Sequence, residues 1–289
     1  GIYRPLLVIH NEPRSAHDLT TLHGSEVATN SVIKDAAPAI YGARGANGVV
    51  VVMTKRGKTG APRFSYNASY GVSDGTLPTM MNGYELATYT NHYNLVGGKK
   101  ETDKDSPIYT ADELEHFKNN SQDWLRMAWK PSHVMRHTFN VSGGTEKATY
   151  FAGITYNNQD ANFDNVQANR WTFRASADIQ IARGLKAGLG LSGDLSQKKM
   201  YFLKQGGESP EKDFSSLLFV APFKPAYVDG LPVNINAGTS STTENFHFFE
   251  AQNSNNYTSS RNTGLNVNAS LEYELPFIKG LKARMNFNK

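Results

Sequence analysis

From Arg63 to Val72 the chain alternates strictly: Phe64, Tyr66, Ala68, Tyr70 and Val72 are apolar or aromatic, and Arg63, Ser65, Asn67 and Ser69 between them are polar. Successive side chains of a strand point to opposite faces, so a period of two gives one greasy face and one wet face. The alternation returns in His137, Phe139 and Val141, in Ala148, Tyr150, Ala152, Ile154 and Tyr156, and in Trp171, Phe173, Ala175, Ala177, Ile179 and Ile181. It continues through Leu185, Ala187, Leu189, Leu191 and Leu195, then Leu265, Val267, Ala269, Leu271 and Tyr273, and ends with Leu281, Ala283, Met285 and Phe287. The pattern predicts about seven strands, near or beyond the ~9–11 residues that cross a bilayer at a tilt.

The connections predict sidedness. Gly143 to Lys147, Ala182 to Gly184 and Pro276 to Gly280 read as short turns, and Ser73 to His133, Asn158 to Ala168 and Lys198 to Asn262 as long loops, in strict alternation. Membrane barrels join strands by short turns on the periplasmic side and longer loops outside, so the first crossing runs outward. In the first long loop, Tyr84 to Tyr89 and Ala111 to Phe117 have helical spacing, the second behind a capping Thr110.

Residues 1–60 follow a different pattern. Leu6 to Ile9 reads as a short buried strand closed by a turn at Asn11-Glu12-Pro13, and Ser31 to Ile33 as a second strand. Asp35 stands where a helix N-cap belongs, ahead of a short helix to Ile40 that Gly42 can end. Asn47-Gly48 is a tight-turn signal before the β-branched run Val49 to Met53.

Composition narrows the function classes. With no cysteine, disulfide frameworks, thiolate metal sites and cysteine nucleophiles are excluded. The mean hydropathy of −0.50 suits barrel strands, which offer lipid only alternate side chains. A net charge of +4, spread along the chain, argues against nucleic-acid binding. The glycines from Gly42 to Gly48 follow a predicted helix and precede a strand, the reverse of a phosphate cradle, so they read as turn chemistry. His10, His17, His23 and Glu26 share no helical or strand face, and we assign no metal and no cofactor. No catalytic constellation is assigned, and the chain is expected not to be an enzyme.

The loops hold the candidate binding residues. Trp124 and Trp129 fit either packing anchors or ligand contacts, with packing preferred. The asparagine-rich stretch Asn234 to Asn262 contains Asn245, Phe246, His247 and Phe248; amides and stacked rings of this kind suit sugars or peptide backbones, and an ordinary solvated loop fits as well.

The run Ser31 to Gly57, with Lys34, Asp35, Tyr41, Gly42, Arg44, Gly45, Asn47 and Gly48, closely resembles the end of the plug in SusC/RagA-type TonB-dependent transporters. Pro5 to Ile9 resembles it too, with His10-Asn11 where the family usually has Asp-Gly. Phe64 to Gly71, Asp123-Trp124-Leu125, Asn140 to Thr145 and Arg170 to Arg174 resemble the family's first barrel segments.

The resemblance implies a mostly β fold: a transmembrane antiparallel β-barrel, about 22 strands when complete, with an N-terminal α+β plug domain. Residues 1–60 would be the C-terminal part of the plug and 61–289 the first barrel strands and loops. Seven strands cannot close such a wall, and open edges in lipid are costly, so a longer polypeptide is expected, with the TonB-contacting segment ahead of Gly1. The implied activity is TonB-dependent import of an oligosaccharide or peptide across the bacterial outer membrane, amid its lipid, with a SusD-like surface lipoprotein as lid. A structural or signalling outer-membrane subunit that keeps the fold is the alternative.

Overall fold

The computed structural model describes residues 5–9, 12–14, 24, 27–33, 42, 44–101, 108–202, 210–233, 247–278 and 280–289. The predicted helix between Asp35 and Ile40 lies outside the described residues, as do Lys34, Asp35 and Tyr41.

The N-terminal region is a small sheet of β1 (Leu6–Ile9), β2 (Glu12–Arg14), β3 (Val27–Ile33) and β4 (Val49–Thr54), in the order β2-β1-β4-β3. β1 runs parallel to β4 and the other pairs are antiparallel. The segment predicted as a turn at Asn11-Glu12-Pro13 is different: Ile9 pairs with Glu12 and Val8 with Pro13, so the chain reverses at once and Pro13 sits in a strand. β2 is the edge strand, where proline's missing N–H costs no ladder bond. Leu7, Ile9 and Val52 pack together against Val27 and Val50. Gly48, at φ +89°, donates to the Gly45 carbonyl at 2.9 Å, and its own carbonyl accepts from Leu6 at 3.0 Å, so the predicted turn launches the parallel pairing.

The second sheet holds β5 (Gly60–Ser73), β6 (Ser132–Gly144), β7 (Ala148–Asp160), β8 (Gln167–Ala182), β9 (Leu185–Tyr201), β12 (Tyr257–Glu274) and β13 (Lys282–Asn288). All are antiparallel and stand beside their chain neighbours, in the order β13-β12-β9-β8-β7-β6-β5. Between β9 and β12 the chain forms a hairpin of β10 (Tyr227–Val228) and β11 (Leu231–Pro232). The observed strands outrun the apolar alternation at one end. β9 and β12 continue six and eight residues past Leu195 and Leu265, because backbone pairing persists where the greasy side chains have stopped.

The faces of this sheet are inverted relative to a soluble one. Phe64 is 70% and Leu189 58% exposed, with Tyr66, Phe173, Leu265 and Met285 also exposed, whereas Thr138 is 1% and Asp194 9% exposed on the other face. A protein in water would bury the first set and solvate the second. Outward apolar positions on β9 run from Leu185 to Leu195; ten steps of ~3.3 Å, tilted as barrel strands are, give a band about 25 Å tall, the height of the apolar belt on membrane barrels.

The strict alternation of short and long connections does not hold. The β7–β8 loop is only 161–166, while the turn between β12 and β13 is 275–281. Pairing of Asp160 with Gln167 takes up residues that polarity alone assigns to the loop. Sidedness survives, because 161–166 lies at the same end as 74–131 and 202–256, and the three loops pack on one another.

Candidate functional site

The register stacks polar side chains in rows across the concealed face. Asn67, Thr138, Thr155, Thr172, Asp194 and Gly264 form one row, and Ser65, Asn140, Gly153, Arg174 and Ser192 the next. Thr155 Oγ1 donates to Thr138 Oγ1 at 3.2 Å and Asn140 Nδ2 to Ser65 Oγ at 3.5 Å. At Gly264 a Cβ would overlap the Asp194 carboxylate, so the glycine leaves room for that side chain in its present rotamer. Thr172 Oγ1, Ser176 Oγ and Asn140 Oδ1 are buried with no hydrogen-bond partner among the described residues.

At the short-turn end this face becomes charged. An open cleft of about 590 Å³ is lined by Arg56, Lys147, Asp178, Lys186, Glu272 and Arg284, with Met53 of β4 also at its edge. Arg284 Nε donates to Glu272 at 3.1 Å, and Arg56 Nη1 meets Asp178 Oδ1 at 2.7 Å. The Arg56 contact ties the segment after the N-terminal sheet to the polar face of β8. One residue on, Gly57 lies against β7 so closely that a Cβ would overlap the Tyr150 backbone. Only glycine fits such an approach. We expect Gly57→Val to lift this segment at a cost of about 1–3 kcal/mol, the range for overpacking a tight contact. Trypsin cutting after Lys55, Arg56 and Lys58 in folded full-length protein then speeds about tenfold; an unchanged rate counts against the contact.

The long-loop end is closed by a cap. It comprises α1 (Gly83–Val96), α2 (Ala111–Asn119), α3 (Trp124–Ala128), α4 (Pro210–Leu218) and α5 (Phe248–Asn253). The predicted helical spacings become α1 and α2; Asn82 and Thr110 each form a capping box, with Glu85 and Glu113 respectively. One apolar cluster joins the three loops and the strand ends: Trp124, Leu125 and Ala128 with Phe163, Met200, Tyr201, Leu217 and Phe248. Cross-links reinforce it. Lys130 pairs with Asp164, Asn162 Nδ2 donates to the Lys130 carbonyl at 2.9 Å, and Asn165 Nδ2 donates to the Gln252 carbonyl at 2.8 Å.

The structure distributes the named loop residues unevenly. Trp124 is 1% exposed; its indole donates to the Lys224 carbonyl at 2.9 Å and stacks on Phe249 at 5.3 Å, so it anchors packing. Trp129 donates to Asp74 at 3.1 Å and meets Phe163 and Phe214 edge-on. His247 caps α5: its Nδ1 accepts from the Glu250 amide at 3.3 Å, which leaves Nε2 to donate to the Ala226 carbonyl at 2.7 Å. Phe248 is buried against Phe163, Tyr201 and Phe249. Asn245 and Phe246 lie outside the described residues. Tyr227 donates to Glu250 at 2.8 Å; burial first, then that hydrogen bond and charge, hold its phenol above the ordinary tyrosine range. Sequence reading passes over Tyr201 and Asp213, a buried pair at 2.7 Å, since Tyr201 sits at an outward position of β9 and is covered only by the cap, through Asp213 of α4 and Phe248 of α5.

No protein-family model matches the chain. It is 33% identical over 178 residues to TonB-dependent receptor P3 of Formosa agariphila, covering 60% of this chain and 16% of that protein. It is 30% identical over 171 residues to TonB-dependent receptor SusC of Bacteroides thetaiotaomicron, covering 57% of this chain and 16% of that one. The chain thus spans about a sixth of the length of these relatives. Among solved structures, the RagAB peptide importer in its closed-closed state superposes with a TM-score of 0.72 at 25% identity, over 98% of this chain and 34% of that one. By sequence and by fold together, what the chain most resembles among these proteins is a segment of a SusC/RagA-type TonB-dependent transporter.

Proposed function

We propose that the chain is part of a TonB-dependent importer that takes an oligosaccharide or peptide across the bacterial outer membrane. Residues 1–60 serve as the C-terminal part of the plug domain and 61–289 as the first strands of the barrel. The observation that carries this reading is the inverted sheet, with leucine and aromatic side chains exposed in a belt and threonine, asparagine and aspartate concealed opposite them. Such a sheet is stable where lipid meets its greasy face and a wet lumen its polar one. The tether at Arg56 and Asp178 supports a plug held on the lumen side, and Lys34, Asp35, Tyr41, Gly42, Arg44, Gly45, Asn47 and Gly48 form its scaffold.

The cap faces outward in this reading, and its loops line the path of the cargo and meet a SusD-like lipoprotein lid. Trp124, Trp129, His247 and Phe248 act there by shaping the cap, and Asn245 and Phe246 belong to the same loop. Exposed Tyr89 and Tyr93, stacked at 6.4 Å on α1, offer the lid an aromatic surface.

Uptake of labelled oligosaccharide and peptide pools tests the proposal, in cells expressing the full-length protein with and without TonB and the proton gradient. Energy-dependent and TonB-dependent accumulation of one pool is expected. A correctly inserted barrel that accumulates neither pool would favour the structural or signalling alternative.

A further inference from the structure

Lys199 and Arg261 occupy outward positions, in register with the greasy side chains rather than the polar rows: on β9 the outward residues are Leu185, Ala187, Leu189, Leu191, Gly193, Leu195, Gln197 and Lys199. On β12 they are Tyr273, Leu271, Ala269, Val267, Leu265, Thr263 and Arg261. No charge interrupts either series until the belt has ended. The two cations are therefore the first charges above the belt on these two neighbouring strands. Lys199 pairs in register with Ser259, two residues from Arg261, which makes the cations diagonal neighbours about 7–8 Å apart at the backbone.

Neither side chain is neutralised: among the described residues, no carboxylate forms an ion pair with Lys199 or Arg261. The ammonium of Lys199 instead rests over the Tyr257 ring, 4.2 Å from its centroid, which holds it in place without cancelling its charge. The carboxylate on the same outward row is Asp160, two strands away across Gln167, about 10 Å distant. Beside Lys199 an open cleft of about 530 Å³ enters under the cap, lined by Gln167, Asn253, Asn255, Asn256 and Tyr257, with Lys130 and the Asp160 carboxylate on its far side. Below it Trp171 and Tyr156, with rings 4.4 Å apart, mark the aromatic collar that membrane barrels set at the headgroup level.

We infer that Lys199 and Arg261, with the amide-lined cleft beside them, bind the phosphorylated sugar headgroup of an outer-leaflet glycolipid. The cations take the phosphate, the asparagine and glutamine amides pair with sugar hydroxyls, and the greasy belt directly below receives the acyl chains. This rests on the membrane orientation proposed above. It differs from cargo binding, because the site is on the outside of the wall, whereas cargo passes within it.

The test uses the full-length protein in mild detergent, unaltered and as the double variant Lys199→Gln/Arg261→Gln. The probes are a bisphosphorylated glycolipid of the lipid A type, its dephosphorylated form, and inorganic phosphate. Each cation beside an anionic lipid surface is worth about fivefold, so the double variant binds the phosphorylated glycolipid about 25-fold more weakly, and the dephosphorylated form loses a similar factor on the unaltered protein. Equal retention by both proteins would overturn the inference. So would displacement of the glycolipid by millimolar inorganic phosphate, which would leave only a free-anion site. Heat-modifiable migration in both proteins verifies the barrel; its absence from the unaltered protein would instead refute the membrane reading beneath.

Discussion

Leu189→Arg in the full-length protein is expected to destabilise the barrel by about 2–4 kcal/mol, the cost of a cation near the bilayer midplane on a lipid-facing strand position. Leu189 is 58% exposed and sits near the middle of the belt between Leu185 and Leu195, beside Ala177 and Ala269. Its surroundings decide the sign. In water an exposed leucine exchanged for arginine is close to neutral, because surface substitutions away from special features stay within about 0.5 kcal/mol. In lipid the guanidinium has to be desolvated or to drag water and headgroups inward. Ser65→Arg is the matching control, on the polar face of β5 in the row of Asn140 and Arg174, and is expected to stay within about 1 kcal/mol. Urea unfolding in lipid vesicles, followed by loss of heat-modifiable migration, reads both variants. Equal, small effects would mean that Leu189 faces water, and the inverted sheet would need another account.

The contrast between those two substitutions also shows why so much of the wall was legible in the chain. In a barrel strand the side-chain period is two and each face has one solvent, so Trp171 to Ile181 announces strand, length and orientation together. Each of the seven wall strands lies where the alternation predicted it, in chain order. The ends were less legible for a physical reason: past Leu195 and before Leu265 the apolar alternation stops, with Met200 and Tyr201 packed into the cap on both faces, and polarity no longer marks the strand while backbone pairing goes on. The cap was least legible. Helix α3 is five residues long, too short for a periodic signal, and α4 follows residues 203–209, outside those described. The hairpin of β10 and β11 does carry a local signal in Asp229-Gly230, both at positive φ, but its strands are two residues each and show no alternation. For the loop residues, sequence supplied the residue types and not the partners. His247, flanked by Phe246, Phe248 and Phe249, fitted a ligand platform and an ordinary loop alike; the structure adds that its two ring nitrogens are engaged by the Glu250 amide and the Ala226 carbonyl.

Trp124→Ala provides the second large effect, and it should fall on the cap alone. The indole is almost fully buried where α3 meets the chain between β9 and β12, stacked on Phe249 and hydrogen-bonded to the Lys224 carbonyl. Truncating a buried aromatic of this size costs about 3–5 kcal/mol, since lost transfer energy adds to the cavity left behind. None of the wall's ladder hydrogen bonds depends on it, and local units open separately when few contacts join them. The expected outcome is therefore a barrel that still shows heat-modifiable migration, with amide exchange in 210–233 and 247–256 faster by about 100-fold or more. Trp124→Phe separates the two contributions: it keeps most of the ring packing and strands the Lys224 carbonyl, at about 1–3 kcal/mol. If Trp124→Ala instead unfolded the barrel, cap and wall would be one cooperative unit, and the loops could not reshape around a cargo without straining the strands beneath them.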